Sequence, residues 1–204
     1  MEKIIHAFNK VEYEGKITVE EALRMRKSTR RFRRTNISFE DLGCLLWSTY
    51  GFRTFQVDGR TAPSAGACYP LIIYAIIGKD SISGVGEGIY LYSPREHSII
   101  RHRPGDVRKE LARAALNQDF IRVAPISIVI SADFSKTTSR YGERGIRYVY
   151  IDLGHAGQNI YLQATSRGMG TVAVGAFTDD EVARVLSLPE DEKPLYIMPI
   201  GYIA

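Results

Sequence analysis

Residues 150–202 read YIDLGHAGQNIYLQATSRGMGTVAVGAFTDDEVARVLSLPEDEKPLYIMPIGY, and their patterning decides the fold class. A helical pattern runs from about Arg144 to Arg167 and stops at Gly168, with Gly170 beyond, which suits a helix C-terminal cap. MGTVAVGAF (169–177) then predicts a strand, and TDDEVARVL (178–186) a helix opened by a capping box of Thr178 and Glu181. The stretch from Leu195 to Ala204 is β-like. Pro199 cannot donate to a ladder, which argues for an edge or a strand end.

The upstream half extends the same alternation without making it regular. Thr18 and Glu21 form a capping box ahead of EEALRMR, and SFEDLGCLLWSTY (38–50) places Leu42, Leu45, Leu46 and Tyr50 on one helical face. FRTFQVDGRTAPSAGACYP (52–70) is rich in Gly, Pro, Ser and Ala and reads as a loop. LIIYAII (71–77) and PISIVISAD (125–133) read as buried strands. GIYLYSP and HSIIRHR read as a strand pair turning near Pro94, with a helix over 105–117. The order α, α, β, β, β, α, β, α, β, α, β lacks strict βαβ repetition. It predicts an α+β fold with a mixed or antiparallel central sheet flanked by helices.

The chain has 204 residues, 45% hydrophobic and 25% charged, which suits one folded domain over 18–204 with residues 1–17 as an N-terminal arm. A chain of this length buries roughly 70% of its unfolded surface without disulfide or metal staples. No apolar run approaches the ~20 residues of a membrane helix, and the charged N-terminus lacks a signal-peptide core. A cytoplasmic protein without membrane partners is the expectation. Cys44 and Cys68 form no CxxC and no cluster with the four histidines, so no metal site is expected and Cys44 reads as a buried small hydrophobe.

The net charge of +4 is unevenly placed. RMRKSTRRFRR (24–34) holds seven of the 27 basic residues and no acid, leaving 20 basic against 23 acidic elsewhere. Something anionic is expected to bind there. In an extended segment Arg26, Ser28 and Arg30 share one side, and two guanidiniums with a hydroxyl suit phosphate oxygens. A solvated basic surface is the plain alternative. Nucleic acid is disfavoured, because only Phe32 interleaves the cations and the remaining chain is slightly acidic.

The glycines of GMGTVAVGAF (168–177) do not make a dinucleotide fingerprint, since they follow a helix and enter a strand; GVGEGI (84–89) also leads into a strand. What remains is a strand ending at Gly175 and Ala176, whose backbone N–H groups are open to a ligand. APSAGACYP (62–70) has small side chains that admit a flat ligand, with the Ser64 hydroxyl beside it. His155 lies one helical step from Asp152, a pair read as structural rather than catalytic.

Taken in order, RKSTRRF (26–32), APSAGACYP (62–70) and YIDLG…MPIGY (150–202) resemble the motifs of the flavin-dependent nitroreductase superfamily over roughly residues 18–203. In detail the chain looks closest to the branch containing the azoline dehydrogenases, which oxidise thiazoline and oxazoline rings in peptides. The resemblance implies an obligate homodimer with FMN at the subunit interface. It implies Arg26, Ser28 and Arg30 on the ribityl phosphate with Lys27 nearby, and Pro63, Ser64, Ala65 and Gly66 lining the isoalloxazine from the second subunit. It further implies Gly175 and Ala176 donating N–H groups to flavin N5 and its neighbouring carbonyl. NAD(P)H would deliver hydride, and a nitro compound, quinone or oxygen would receive it in ping-pong fashion. An azoline-type oxidation with oxygen as acceptor and a non-catalytic flavin-binding protein are the alternatives. Tyr141 and Tyr148 are the candidate proton donors. Gly66 and Tyr69 stand where many relatives carry Asn and Gln, which puts the pyrimidine-edge contacts in question. Many relatives also place a basic residue just beyond Pro-x-Gly-Tyr; Ile203 and Ala204 follow here, with Arg31, Arg33 and Arg34 as nearby substitutes.

Overall fold

The computed structural model describes residues 4–9, 17–54 and 57–204. Most of the expected arm, residues 1–3 and 10–16, lies outside the described residues. Its remaining part is strand β1 (Ile5–Ala7), antiparallel to β6 (Ser98–Pro104). The other sheet strands are β4 (Leu71–Ile77), β5 (Gly88–Ser93), β7 (Ile126–Asp133), β8 (Met169–Thr171) and β9 (Glu192–Tyr202). They form one seven-stranded sheet in the order β1-β6-β5-β4-β7-β9-β8, and every pair is antiparallel.

Side chains on a strand alternate between faces, and the two faces of β4 meet different cores. Ile73, Ala75 and Ile77 pack with Leu42, Leu45 and Leu46 of α2 (Phe39–Tyr50) and with Leu153 and Ile160 of α6 (Arg144–Ser166). Tyr74 and Ile76 pack with Leu111 of α3 (Arg108–Ala114), Ile121 of α4 (Asp119–Val123), and Val182 and Leu186 of α7 (Asp179–Leu186). Burial on both faces explains why LIIYAII and ISIVISAD are continuously apolar rather than alternating. The α+β reading holds, with an antiparallel sheet between two helical layers.

Helix α1 (Val19–Met25) starts at Thr18 with the capping box the sequence predicts. Several elements differ from expectation. The 52–70 stretch is not all loop, since it holds a hairpin of β2 (Phe52–Thr54) and β3 (Val57–Arg60) and a 3₁₀ turn over Ala65–Ala67. The helix expected over 105–117 is shorter, α3, and is followed by α4; a further helix α5 (Ser135–Tyr141) precedes α6. The Thr178 side chain makes no capping bond. Its N–H instead donates to Ala114 O at 2.9 Å, and Asp179, Asp180 and Glu181 supply negative charge to the first turn of α7.

MGTVAVGAF is a strand only over 169–171, and β9 carrying Pro199 is internal rather than an edge. One cause explains both. Val174 and Ile197 exchange both backbone hydrogen bonds, and Thr171 pairs Ile200, so Val172 faces Pro199. Pro199 has no N–H to offer there. The ladder opens, and the Ala173 N–H donates to the Tyr161 hydroxyl at 2.9 Å.

Candidate active site

The basic segment lies along the β8 edge of the sheet. Thr29 N–H donates to Thr171 O at 2.8 Å, Arg33 N–H to Tyr202 O at 2.8 Å, and Ala204 N–H to Arg31 O at 3.3 Å. Gly170 permits this approach, because a Cβ there would stand 2.6 Å from Thr29 Oγ1 and 2.7 Å from its Cβ. Thr29 is buried toward the sheet, while Lys27, Ser28, Arg30 and Arg31 around it are exposed.

Arg26 and Ser28 converge on one side chain of α6. The Ser28 hydroxyl is 3.1 Å from the Tyr161 hydroxyl, and the Arg26 guanidinium lies 5.2 Å from the centre of the same ring. Arg30 reaches the Phe120 ring instead, at 5.7 Å. Among the described residues, none of Arg26, Lys27 and Arg30 forms a salt bridge with a carboxylate. Cations left unpaired beside a hydroxyl make a site suited to an anion.

Tyr161 also reaches the 173–176 turn through Ala173. Gly175 and Ala176 are exposed, and their N–H groups meet no hydrogen-bond acceptor among the described residues. The turn is fixed from its other side: Gln118 Nε2 donates to Ala176 O at 2.9 Å. The basic segment and the turn that carries the open amides therefore meet at the Tyr161 hydroxyl.

Ser64 and Ala65 face α6 nine residues earlier, at Asp152, about 14 Å along the helix axis from Tyr161. The Ser64 hydroxyl accepts the Tyr69 N–H at 2.9 Å. Gly66 has φ 57°, its carbonyl accepts from Arg140 Nη1 at 2.8 Å, and a Cβ there would stand 2.3 Å from the Tyr141 hydroxyl. Tyr141 thus packs against the loop, and Tyr148 stands behind it in an edge-on contact at 5.1 Å.

Burial raises the pKa of Asp152, opposed by donation from Ser64 and Ala65 and by His155. At the loop's entry the Arg60 guanidinium lies 4.4 Å from the Tyr50 ring, 5.1 Å from Tyr69 and 5.3 Å from Phe52, and burial lowers its pKa. Cys44 is buried, but it is not only a hydrophobe: Arg167 Nη2 donates to its Sγ at 2.8 Å while Nη1 pairs Asp41 at 2.5 Å. Among the described residues no His, Cys, Asp and Glu group could hold a metal, and no helix is long and apolar enough to cross a membrane.

The sequence reading missed Tyr161, Gln118 and Arg140. Tyr161 is one of twelve tyrosines, and Gln118 acts across 58 residues, so neither carried a local signal.

The Nitroreductase family pattern matches residues 23–202. A Methanocaldococcus jannaschii protein named as a nitroreductase is 45% identical over 185 residues, 91% of each chain. A trifolitoxin operon protein of Rhizobium leguminosarum is 30% identical over 115 residues, 56% of this chain and 32% of that one. An NADPH-flavin oxidoreductase of Vibrio harveyi is 28% identical over 113 residues, 52% of this chain and 47% of that one. Among solved structures, a nitroreductase from Ralstonia eutropha superposes with TM-score 0.85 at 27% identity, covering 98% of this chain and 89% of that one.

Proposed function

The chain belongs to the nitroreductase family, and from that premise we propose that it is an FMN-dependent oxidoreductase acting as a homodimer, with NAD(P)H as hydride donor. The carrying observation is Tyr161, whose hydroxyl meets both Ser28 and the Ala173–Ala176 turn and whose ring lies by Arg26. That arrangement fits a ligand with an anionic end and a hydrogen-bonding flat end. Arg26, Lys27, Ser28 and Arg30 would hold the phosphate. Gly175 and Ala176 would direct their N–H groups at the isoalloxazine edge, and Pro63 to Gly66 would cover its face from the second subunit.

The bound flavin would supply hydride transfer, accepting from NAD(P)H and passing to an electrophile such as a nitro compound, quinone or oxygen. The protein's contribution is fixed charge and oriented donors, which favour an electron-rich ring without reorganising. Tyr141, packed on Gly66, is better placed than Tyr148 to hold a proton at the loop. The Vibrio harveyi relative supports the flavin and nicotinamide assignments.

Exposed apolar side chains support a second copy: Val19, Leu23 and Met25 on α1, and Ile146, Tyr150 and Ile151 on α6. An adjoining cleft of about 560 Å³ is lined by Val19, Ala22, Trp47 and Leu162. These side chains are the surface a second copy would cover. The test is FMN titration of the apoprotein followed by size-exclusion chromatography with light scattering. One FMN per chain in a particle of twice the monomer mass supports the reading. A monomer that takes up no FMN refutes it.

A further inference from the structure

Arg60 ends β3 with its guanidinium over three rings, 4.4 Å from the centre of Tyr50, 5.1 Å from Tyr69 and 5.3 Å from Phe52. Among the described residues no carboxylate pairs with it. Its Nη1 donates to Tyr50 O at 3.3 Å, and its Nε is buried without an acceptor. A half-buried cation compensated by one long hydrogen bond and by ring faces is costly, and an apolar chain of similar length would fill the space at lower cost. Stability therefore does not account for arginine at this position. A guanidinium offers what an apolar chain lacks, a flat charged face that stacks on several rings at once.

What the guanidinium holds is one end of a strained turn. Gly66, Ala67 and Tyr69 have φ of 57°, 54° and 49°. Ala67 and Tyr69 carry a Cβ, so this left-handed backbone persists only where the surroundings fix it. The turn closes on itself through Ala67 N–H to Ser64 O at 3.1 Å, Cys68 N–H to Ala65 O at 3.2 Å and Tyr69 N–H to Ser64 Oγ at 2.9 Å. The body of the protein reaches it at Gly66, through Arg140, and at Tyr69, whose ring lies against Arg60 and edge-on to Tyr50 at 6.0 Å. Because the Tyr69 N–H engages Ser64, holding the Tyr69 ring also holds the Ser64 hydroxyl. The flanks are anchored separately: Thr61 Oγ1 donates to Trp47 O at 2.9 Å, and Leu71 N–H to the Tyr50 hydroxyl at 3.4 Å.

We propose that Arg60 is a positioning residue: stacked on Tyr50 and Tyr69, its guanidinium fixes the Ser64–Tyr69 turn in the shape that Pro63–Gly66 presents to the bound flavin. The stack belongs to the fold, while the ligand it serves rests on the flavin reading above. Since the flanks of the turn have their own anchors on α2, loss of the guanidinium should loosen the turn and leave the domain intact.

The test compares amide hydrogen exchange over residues 62–70, the thermal midpoint and FMN affinity in the unaltered chain, Arg60→Met, Arg60→Lys, Tyr69→Phe and Tyr69→Leu. In Arg60→Met the amides of Ala67, Cys68 and Tyr69 should exchange about fivefold faster and FMN affinity should fall about fivefold, the factor one cation–π contact supports. Exchange elsewhere should be unchanged, and the midpoint equal or higher. Arg60→Lys keeps the charge without the flat face and should recover part of both losses. Tyr69→Phe keeps the ring and should match the unaltered protein. Tyr69→Leu reaches the same contact from the loop and should behave as Arg60→Met. Unchanged exchange over 62–70 in both Arg60→Met and Tyr69→Leu overturns the proposal. A lowered midpoint with faster exchange over the whole chain overturns it too, since that marks a merely structural residue. A loosened turn in these variants, with no FMN uptake by the unaltered protein, supports the positioning of the turn and overturns the flavin reading alone.

Discussion

The Ser28 hydroxyl stands 3.1 Å from the hydroxyl of Tyr161, although 133 positions separate them in sequence. Tyr161 accepts the Ala173 N–H at the point where β8 leaves the sheet, so one phenol positions both the basic segment and the open amides. Tyr161→Phe keeps the ring under Arg26 and removes both polar contacts. It should cost about 1–2 kcal/mol in urea unfolding, the penalty for a stranded amide donor, and weaken FMN binding in titration.

Arg26→Ala combined with Arg30→Ala should lower FMN affinity by a factor on the order of 10² or more, since each charge-assisted hydrogen bond is worth about 1.5–3 kcal/mol. Neither arginine forms a salt bridge among the described residues, so the thermal midpoint should hold. Fluorescence titration with FMN and with riboflavin separates the phosphate contribution, because riboflavin binding should be nearly unaffected.

Ala176→Pro deletes one of the two exposed N–H groups and leaves the carbonyl that Gln118 holds. Anaerobic stopped-flow reduction by NAD(P)H should slow by about 10²-fold, in line with the loss of one oriented donor, while FMN affinity changes less. Equal losses in both would place Ala176 in binding and not in hydride transfer.

The docking of β1 predicts a pH dependence. His97 is buried, its Nδ1 lies 2.9 Å from the Tyr92 hydroxyl, and its ring stands 5.0 Å from that of Phe8. Burial lowers its pKa, so the unfolded chain binds a proton at a pH where the folded chain does not. The stability this neutral ring contributes is full above about pH 6.5 and is lost as pH falls through its folded value. Denaturation midpoints between pH 5 and 7.5 should show that slope, and His97→Gln should remove its share.

Local patterns made much of this legible. The α6 pattern and the buried strands β4 and β7 follow directly from apolar runs, whereas Arg30 turns to the Phe120 ring and not to Tyr161 with Arg26 and Ser28. What escaped depends on partners distant in sequence. MGTVAVGAF has the composition of a strand, yet it breaks because Val172 meets Pro199 across the ladder. Thr178-Glu181 has the spacing of a capping box, but its amide is claimed by Ala114. Asp152 looked like a helical companion of His155, and only the folded loop brings Ser64 and Ala65 to it.

The most direct test of the flavin assignment is the visible absorption spectrum of the purified protein before and after anaerobic NAD(P)H. Flavin bands near ~450 nm that bleach with reductant and return in air are the expected result. A colourless protein that cannot be reconstituted with FMN would contradict the account and leave Arg26, Ser28 and Arg30 as a binding surface for some other anion.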